Sequence, residues 1–183
     1  MNTIDPTRAT LDERYSAAGN SHNLTSTPEH QTQADVLGAS GMSRSPVGAT
    51  LQRLQGEWDA AVKPHAHAGE SELRALMRRL HSLPEAMVSV QALAIRDGIN
   101  PAFAPEVLLW WLDPGCPACG GNGAQPMGKF VRGLRRCPAC HGTRTKPVPY
   151  GRAGDRITDR MEEAVNNWRS QTARRLHSTG KAE

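Results

Sequence analysis

The sequence predicts a mainly α-helical protein: a small helical body, a cysteine-stapled finger inserted late in the chain, and a flexible arm in front. Three observations carry that prediction. Apolar residues recur at helical spacing in runs set off by prolines, as at Val47, Leu51, Leu54 and Trp58, and again at Ile157, Met161 and Trp168. The four cysteines of the chain form Cys-Pro-Ala-Cys twice, at 116–119 and 137–140, with seventeen residues between the pairs. Aromatic residues make up only 4% of 183 residues and the mean hydropathy is −0.55. That is too little for one continuous core, so part of the chain is expected to be poorly ordered.

Residues 1–40 are rich in Thr, Ser, Asn, Asp and His, with scattered apolar residues such as Ile4, Leu11 and Leu24, and read as the flexible arm. Ser45 followed by Pro46 is a helix start, with Ser as cap and Pro in the first turn. A helix from about Pro46 to Val62 follows, ended by Pro64. Lys63 to Gly69 is a linker, and Glu70 or Ser71 opens a second helix striped by Leu73, Leu76, Met77 and Leu80. Pro84 restarts the chain for a third helix, through Met87, Val88, Leu93 and Ile95 to near Gly98. A short fourth element starts at Pro101 or Pro105, and its run of Phe103, Val107, Leu108, Leu109, Trp110 and Trp111 is the candidate core of a body spanning 41–113.

The finger occupies 114–148 and a basic helical region 149–183. In the latter, Ile157, Met161, Ala164 or Val165, Trp168, Thr172 and Leu176 share one side, and Arg156, Arg160, Arg169, Arg174 and Arg175 the other. Two geometries fit: one continuous amphipathic helix, or, if Asn166-Asn167 breaks the run, a helix-turn-helix whose second helix suits a major groove.

Two short Cys-x-x-Cys turns facing each other supply the four tetrahedral corners of a thiolate metal site, so Cys116, Cys119, Cys137 and Cys140 are read as ligands of one structural Zn2+. Gly120, Gly121, Gly123 and Gly142 let the backbone curl around the ion. His65 and His67 would face apart in a helix and find the zinc already furnished with four ligands; His141 is expected to meet solvent or a phosphate. Four thiolates leave no coordination position for water, and neither a Walker loop nor a dinucleotide fingerprint is present, so no enzyme activity and no small-molecule substrate are expected.

The formal charge of +4 matters less than its distribution. From Pro114 to Gly154 there is no acidic residue, while Lys129, Arg132, Arg135, Arg136, Arg144, Lys146 and Arg152 all fall there. Nucleic acid or an acidic protein surface is the natural partner. No apolar run approaches the roughly 20 residues of a membrane span, and the amino terminus lacks the layout of a secretory signal. With every cysteine in a metal pair, a reducing cytoplasm is expected.

Cys116-Pro-Ala-Cys119-Gly-Gly-Asn-Gly123 fits the Cys-x-x-Cys-x-Gly-x-Gly unit of the DnaJ-type zinc finger, and Cys137-Pro-Ala-Cys140-His-Gly-Thr-Arg144 fits it with Arg for the last glycine. DnaJ chaperones carry four such units and a His-Pro-Asp motif; this chain has two and no His-Pro-Asp. As a whole it resembles the late antitermination protein Q family of lambda-type bacteriophages, which has two such units with a basic insert in its second half. The similarity extends to Asp35-Val-Leu-Gly-Ala-Ser-Gly-Met-Ser-Arg-Ser45, to the Tyr150–Ala153 connector and to Trp168-Arg-Ser-Gln-Thr172. The resemblance implies a DNA-binding regulator that engages RNA polymerase near a late promoter, in the cytoplasm of a bacterial host, and travels with it past terminators. Charge and position then nominate Arg169, Gln171, Arg174 and Arg175 for DNA, with Lys129, Arg132, Arg135 and Arg136 as phosphate or polymerase contacts. The alternatives are a DnaJ-type module that binds polypeptide and a zinc-ribbon RNA-binding protein.

Overall fold

The computed structural model describes residues 9–19, 21, 32–61, 75, 78–127 and 133–179. It is mainly helical, as the sequence predicts, with one two-stranded sheet: α1 (Leu11–Gly19), α2 (Gln33–Gly41), α3 (Pro46–Ala60), α4 (Leu83–Arg96), a 3-10 turn (Pro101–Phe103), α5 (Ala104–Leu112), β1 (Ala124–Pro126), β2 (Leu134–Arg136) and α6 (Arg152–Thr179). No helix among the described residues is long and apolar enough to cross a membrane. The chain divides into two compact units, one of Met1–Ala61, Arg79–Ala86 and Arg160–Glu183, the other of Val62–Arg78 and Met87–Asp159. The four consecutive segments read from the sequence are therefore not the units of the fold, because α4 and α6 each begin in one unit and end in the other. The linker with His65 and His67, and the second helix as far as Met77, lie outside the described residues except for Ala75.

In the first unit the expectation of a flexible arm over 1–40 does not hold for residues 11–19 and 33–40, which are helical. Both helices start on capping boxes. The Thr10 hydroxyl accepts from the Glu13 N–H at 3.3 Å, and the Thr10 N–H donates to Glu13 Oε2 at 2.7 Å. Thr32 and Asp35 repeat the exchange at 3.4 and 2.8 Å. The Thr10 N–H and hydroxyl hold the Glu13 carboxyl below its usual range, so this cap is complete at neutral pH and weakens as pH falls through that range. Caps alone do not hold nine-residue helices in water; Ala18 and Val36 are buried together with Leu176 of α6, flanked by Leu11, Tyr15, Leu37 and Ala39.

The packing of α3 against α6 is closer than any sequence pattern shows. A Cβ on Gly48 would sit 2.1 Å from the Ala164 carbonyl oxygen, so only hydrogen fits there. Ser45, read as a capping residue, makes no side-chain cap; its hydroxyl donates instead to that same Ala164 carbonyl at 3.0 Å. Glu57 of α3 receives the N–H and hydroxyl of Ser82 at 2.9 and 2.8 Å, which fixes the start of α4. Gly48→Ala is therefore expected to destabilise by about 1–3 kcal/mol through overpacking. Gly56→Ala in the same helix meets only the Ser16 hydroxyl at 3.3 Å and gains up to about 1 kcal/mol of helix propensity. Urea denaturation of the two variants reads opposite shifts in midpoint; a Gly48→Ala midpoint equal to that of Gly56→Ala would refute the close approach.

In the second unit Val107, Leu108 and Leu112 of α5 are buried, as are Val90, Ala94 and Ile157. The core reading of this run holds for Val107 and Leu108 but not for Leu109, which is exposed, while Phe103 and both tryptophans are half-buried; Trp110 has a structural use, donating its indole N–H to the Lys146 carbonyl at 3.1 Å. The finger's outgoing chain is thereby tied to α5. Beyond it, Tyr150 stacks on Phe103 at 3.9 Å between ring centroids and donates its hydroxyl to the Glu106 carboxylate. Gly154 then passes so near Pro149 that a Cβ would lie 1.9 Å from its carbonyl oxygen, and α6 leads on from there.

α6 is one uninterrupted helix of 28 residues, so the helix-turn-helix geometry at Asn166-Asn167 is not formed. Its buried residues include Ile157, Met161, Val165, Trp168, Thr172 and Leu176, as the period predicts, with Val165 taking the inner place over Ala164, and also Gly154 and Thr158.

Candidate metal centre and basic finger

The finger opens and closes on paired chain: Lys146 donates its N–H to the Pro114 carbonyl at 2.8 Å, and Gly115 bridges Thr145. Between them lie two turns of the same design, twenty-one residues apart in sequence. The Cys116 N–H donates to the Arg144 carbonyl and the Cys137 N–H to the Gly123 carbonyl, each at 2.9 Å. Asn122 N–H to Cys119 O and Thr143 N–H to Cys140 O form a second equivalent pair. Left-handed backbone falls at matching positions, Gly120 with His141, Gly121 with Gly142 and Gly123 with Arg144. The doubled motif thus folds as two interlocked knuckles, each first cysteine hydrogen-bonded to the end of the other knuckle.

This arrangement brings all four sulfurs to one point. Sγ of Cys116 lies 4.0 Å from that of Cys137, Sγ of Cys119 lies 3.8 Å from that of Cys140, and all four fall within 4.8 Å of one another. A tetrahedron with metal–sulfur bonds of about 2.3 Å has edges of about 3.8 Å, so a metal ion fits with little adjustment. The cysteines are free thiols, all buried. The Gly123 N–H reaches Cys119 Sγ at 3.3 Å, the kind of donor that steadies a thiolate. Burial pushes the Cys116 thiol up to about 11. Burial also acts upward on Cys140, but the N–H groups of Arg144 and Gly142 and the neighbouring Cys137 and Cys119 thiols outweigh it and bring Cys140 down to about 6. Four buried thiols converging on one point can coordinate a metal ion, and once bound it has no protein-free corner.

The eight nominated contact residues divide. Arg135 and Arg136 lie on β2, which pairs antiparallel with β1 and is exposed along its length. Lys129 and Arg132 lie outside the described residues. Arg169 does not stand clear on α6: it grips the Asp12 carboxylate of α1 with Nε at 2.9 Å and a terminal nitrogen at 2.5 Å. Gln171 is likewise engaged within the fold, accepting from the Arg44 N–H at 2.7 Å and the Ser43 hydroxyl at 3.4 Å. Arg174 is exposed and turns its Nε to the Ser170 carbonyl, while Arg175 is half-buried. The outer side of α6 also carries exposed Asp155, Asp159, Glu162 and Glu163, so it is mixed in charge, with Arg160 paired to Glu163 at 2.8 Å. The acid-free surface is the finger.

Two polar side chains outside the eight nominations belong to it, one of them a cation. His141 and Arg144 are exposed on the second knuckle, and the signal for them was in the sequence: aligning the two units places them where the first has Gly120 and Gly123. Compared with known proteins, the chain matches no family model, no curated protein and no solved structure.

Proposed function

We propose that this chain is a DNA-binding transcription antitermination regulator which engages RNA polymerase and promotes readthrough of terminators, in the setting of phage late gene expression in a bacterial cytoplasm. One structural zinc, held by Cys116, Cys119, Cys137 and Cys140, orders the contact surface. The reading takes zinc from the donor set, since four thiolates in a tetrahedron suit it best among available divalent ions. A closed shell suits a structural and not a catalytic metal, which supports reading the protein as a binder.

The observation that carries the nucleic-acid part is the charge on the finger. Among the described residues the side chains of Arg135, Arg136 and Arg144 have neither a hydrogen-bond nor an ion-pair partner, and no acid occurs between Pro114 and Gly154. Unpaired arginines on a rigid support are what a phosphate backbone recruits. Met127 and Leu134, exposed on the same hairpin, supply apolar surface for a protein partner such as polymerase. The resemblance of the two cysteine units and their flanks to phage late antiterminators supports the choice of transcription over a chaperone role.

The test is transcription by purified polymerase on a template with a promoter-proximal pause and a downstream terminator. Added protein is expected to raise readthrough several-fold, and the Cys119→Ser, Cys140→Ser double variant is expected to abolish the rise. Readthrough equal with and without the protein would overturn the reading and leave the metal site untouched.

A further inference from the structure

We propose that Arg136 and Arg144 form a clamp for the phosphate backbone of duplex DNA, set on the two adjacent glycines Gly142 and Gly123. This rests on the nucleic-acid reading above and moves its contact from α6 to the second knuckle.

The two knuckles have the same backbone and different side chains. φ is +56° at Gly120 and +49° at His141, +78° at Gly121 and +84° at Gly142, +76° at Gly123 and +72° at Arg144. Glycine is what that left-handed backbone favours, and the first knuckle uses it throughout. The second keeps glycine only at 142 and carries His141 and Arg144 at the other positions. Folding gains nothing from them there, so a contact outside the protein accounts for them better.

Where glycine is kept, an arginine lies on it. A Cβ on Gly142 would come within 3.2 Å of Arg136 Cγ and Nε, and a Cβ on Gly123 within 3.0 Å of Arg144 Cγ. Each side chain therefore runs flat across a bare stretch of backbone, a bed that any larger residue would fill. The beds adjoin, for the Cβ position of Gly123 is also only 3.2 Å from the Gly142 carbonyl oxygen. Two arginine stems are thus laid side by side before any ligand arrives, which lowers the ordering cost of binding. Neither guanidinium has a partner among the described residues. The two stems lie on bare backbone and offer charge to phosphates, and a duplex, with twice the charge per unit length of a single strand, presents the most of them.

The experiment uses the full zinc-loaded chain and a fluorescein-labelled, mixed-sequence DNA duplex, with anisotropy followed between about 50 and about 200 mM KCl. Arg144→Gly takes the left-handed backbone without a side chain, so it folds at least as well as the parent; Arg136→Gln keeps the stem and drops the charge. Each is expected to weaken binding roughly 3- to 10-fold at mid-range salt and to lower the slope of log K against log salt by about 0.9, with the double variant additive. Zinc content stays at one per chain. Arg169→Gln, which loses an internal pair, leaves the slope unchanged. If the parent binds with a steep salt dependence and the double variant matches it, the clamp is wrong and the nucleic-acid reading stands. If Arg169→Gln lowers the slope as much as Arg144→Gly, net charge and not the clamp is responsible. Tighter binding to a single-stranded RNA of equal length, with the same loss in the variants, would overturn the assignment to duplex DNA. A parent that binds no duplex at low salt removes both the clamp and the reading beneath it.

Discussion

Removing the metal is expected to unfold the finger. Its buried cluster is the four cysteines themselves, its strands are three residues each, and β2 is exposed throughout. Among the described residues no apolar core stands behind the sulfurs to hold the knuckles once the ion is gone. Structural zinc in finger peptides contributes about 10–16 kcal/mol at neutral pH, which exceeds anything else available to this segment. The Cys119→Ser, Cys140→Ser double variant is expected to purify with zinc well below the one equivalent of the parent, and to lose amide-exchange protection at Cys116, Gly123 and Cys137, whose N–H groups are hydrogen-bonded within the knuckles. Equal zinc in both proteins would refute the site. Acid should act as the chelator does. Protons compete with the ion for thiolates, and a cysteine released from the fold has a pKa of about 8.5, so it is mostly thiol at neutral pH. Binding at neutral pH therefore displaces thiol protons, so zinc affinity falls as pH is lowered, and calorimetry in buffers of different ionisation enthalpy reads the protons released.

The four-cysteine cluster was legible because its whole specification is local: ligand type, a two-residue spacer and glycine at the turns. The long helix was legible for a similar reason, since a single period names its buried residues from Ile157 to Leu176 without reference to anything distant. What could not be read depends on partners far along the chain. Gln171 looked like a base reader because nothing near it announces that Ser43 and Arg44 will occupy it, 128 and 127 residues away. Arg169 looked free because Asp12, its partner, lies 157 residues before it in a segment of arm-like composition. Gly48 reads as a flaw in helix α3 until the Ala164 carbonyl is seen against it. Asn166-Asn167 signalled a break that Val165 and Trp168, buried on either side, override; intrinsic propensity is a weak prior beside burial. The two amino-terminal helices were a different failure. Thr10-x-x-Glu13 and Thr32-x-x-Asp35 were capping boxes in plain view, masked by a polar composition that averages them away.

Trp168→Ala is expected to cost about 3–5 kcal/mol, the range for truncating a buried aromatic. Trp168 is fully buried on α6 and meets the edge of Tyr15 at 5.0 Å with the rings 74° apart, an arrangement that adds about 0.5–1.5 kcal/mol beyond area. Since Tyr15 belongs to α1, the indole also helps to fasten that nine-residue helix, beside the Ala18 cluster and the Arg169–Asp12 pair. Set against a total stability of about 5–15 kcal/mol, the loss should leave the first unit marginal at room temperature, with a large drop in urea midpoint. The contrast with Phe makes the cause testable. Among the described residues the Trp168 indole N–H finds no acceptor, and the Thr172 hydroxyl one turn on is equally buried and equally unmatched. Burying a polar group without a partner costs about 1–3 kcal/mol. Trp168→Phe removes such a group while keeping a ring against Tyr15, so its net cost should stay under about 1.5 kcal/mol, the limit for a well-tolerated apolar exchange. Thr172→Val removes the other at nearly constant shape and should be neutral or stabilising. A Phe variant as unstable as the Ala variant would mean that the indole nitrogen is bonded after all, and that the ring's hold on Tyr15 is the lesser part of what Trp168 does.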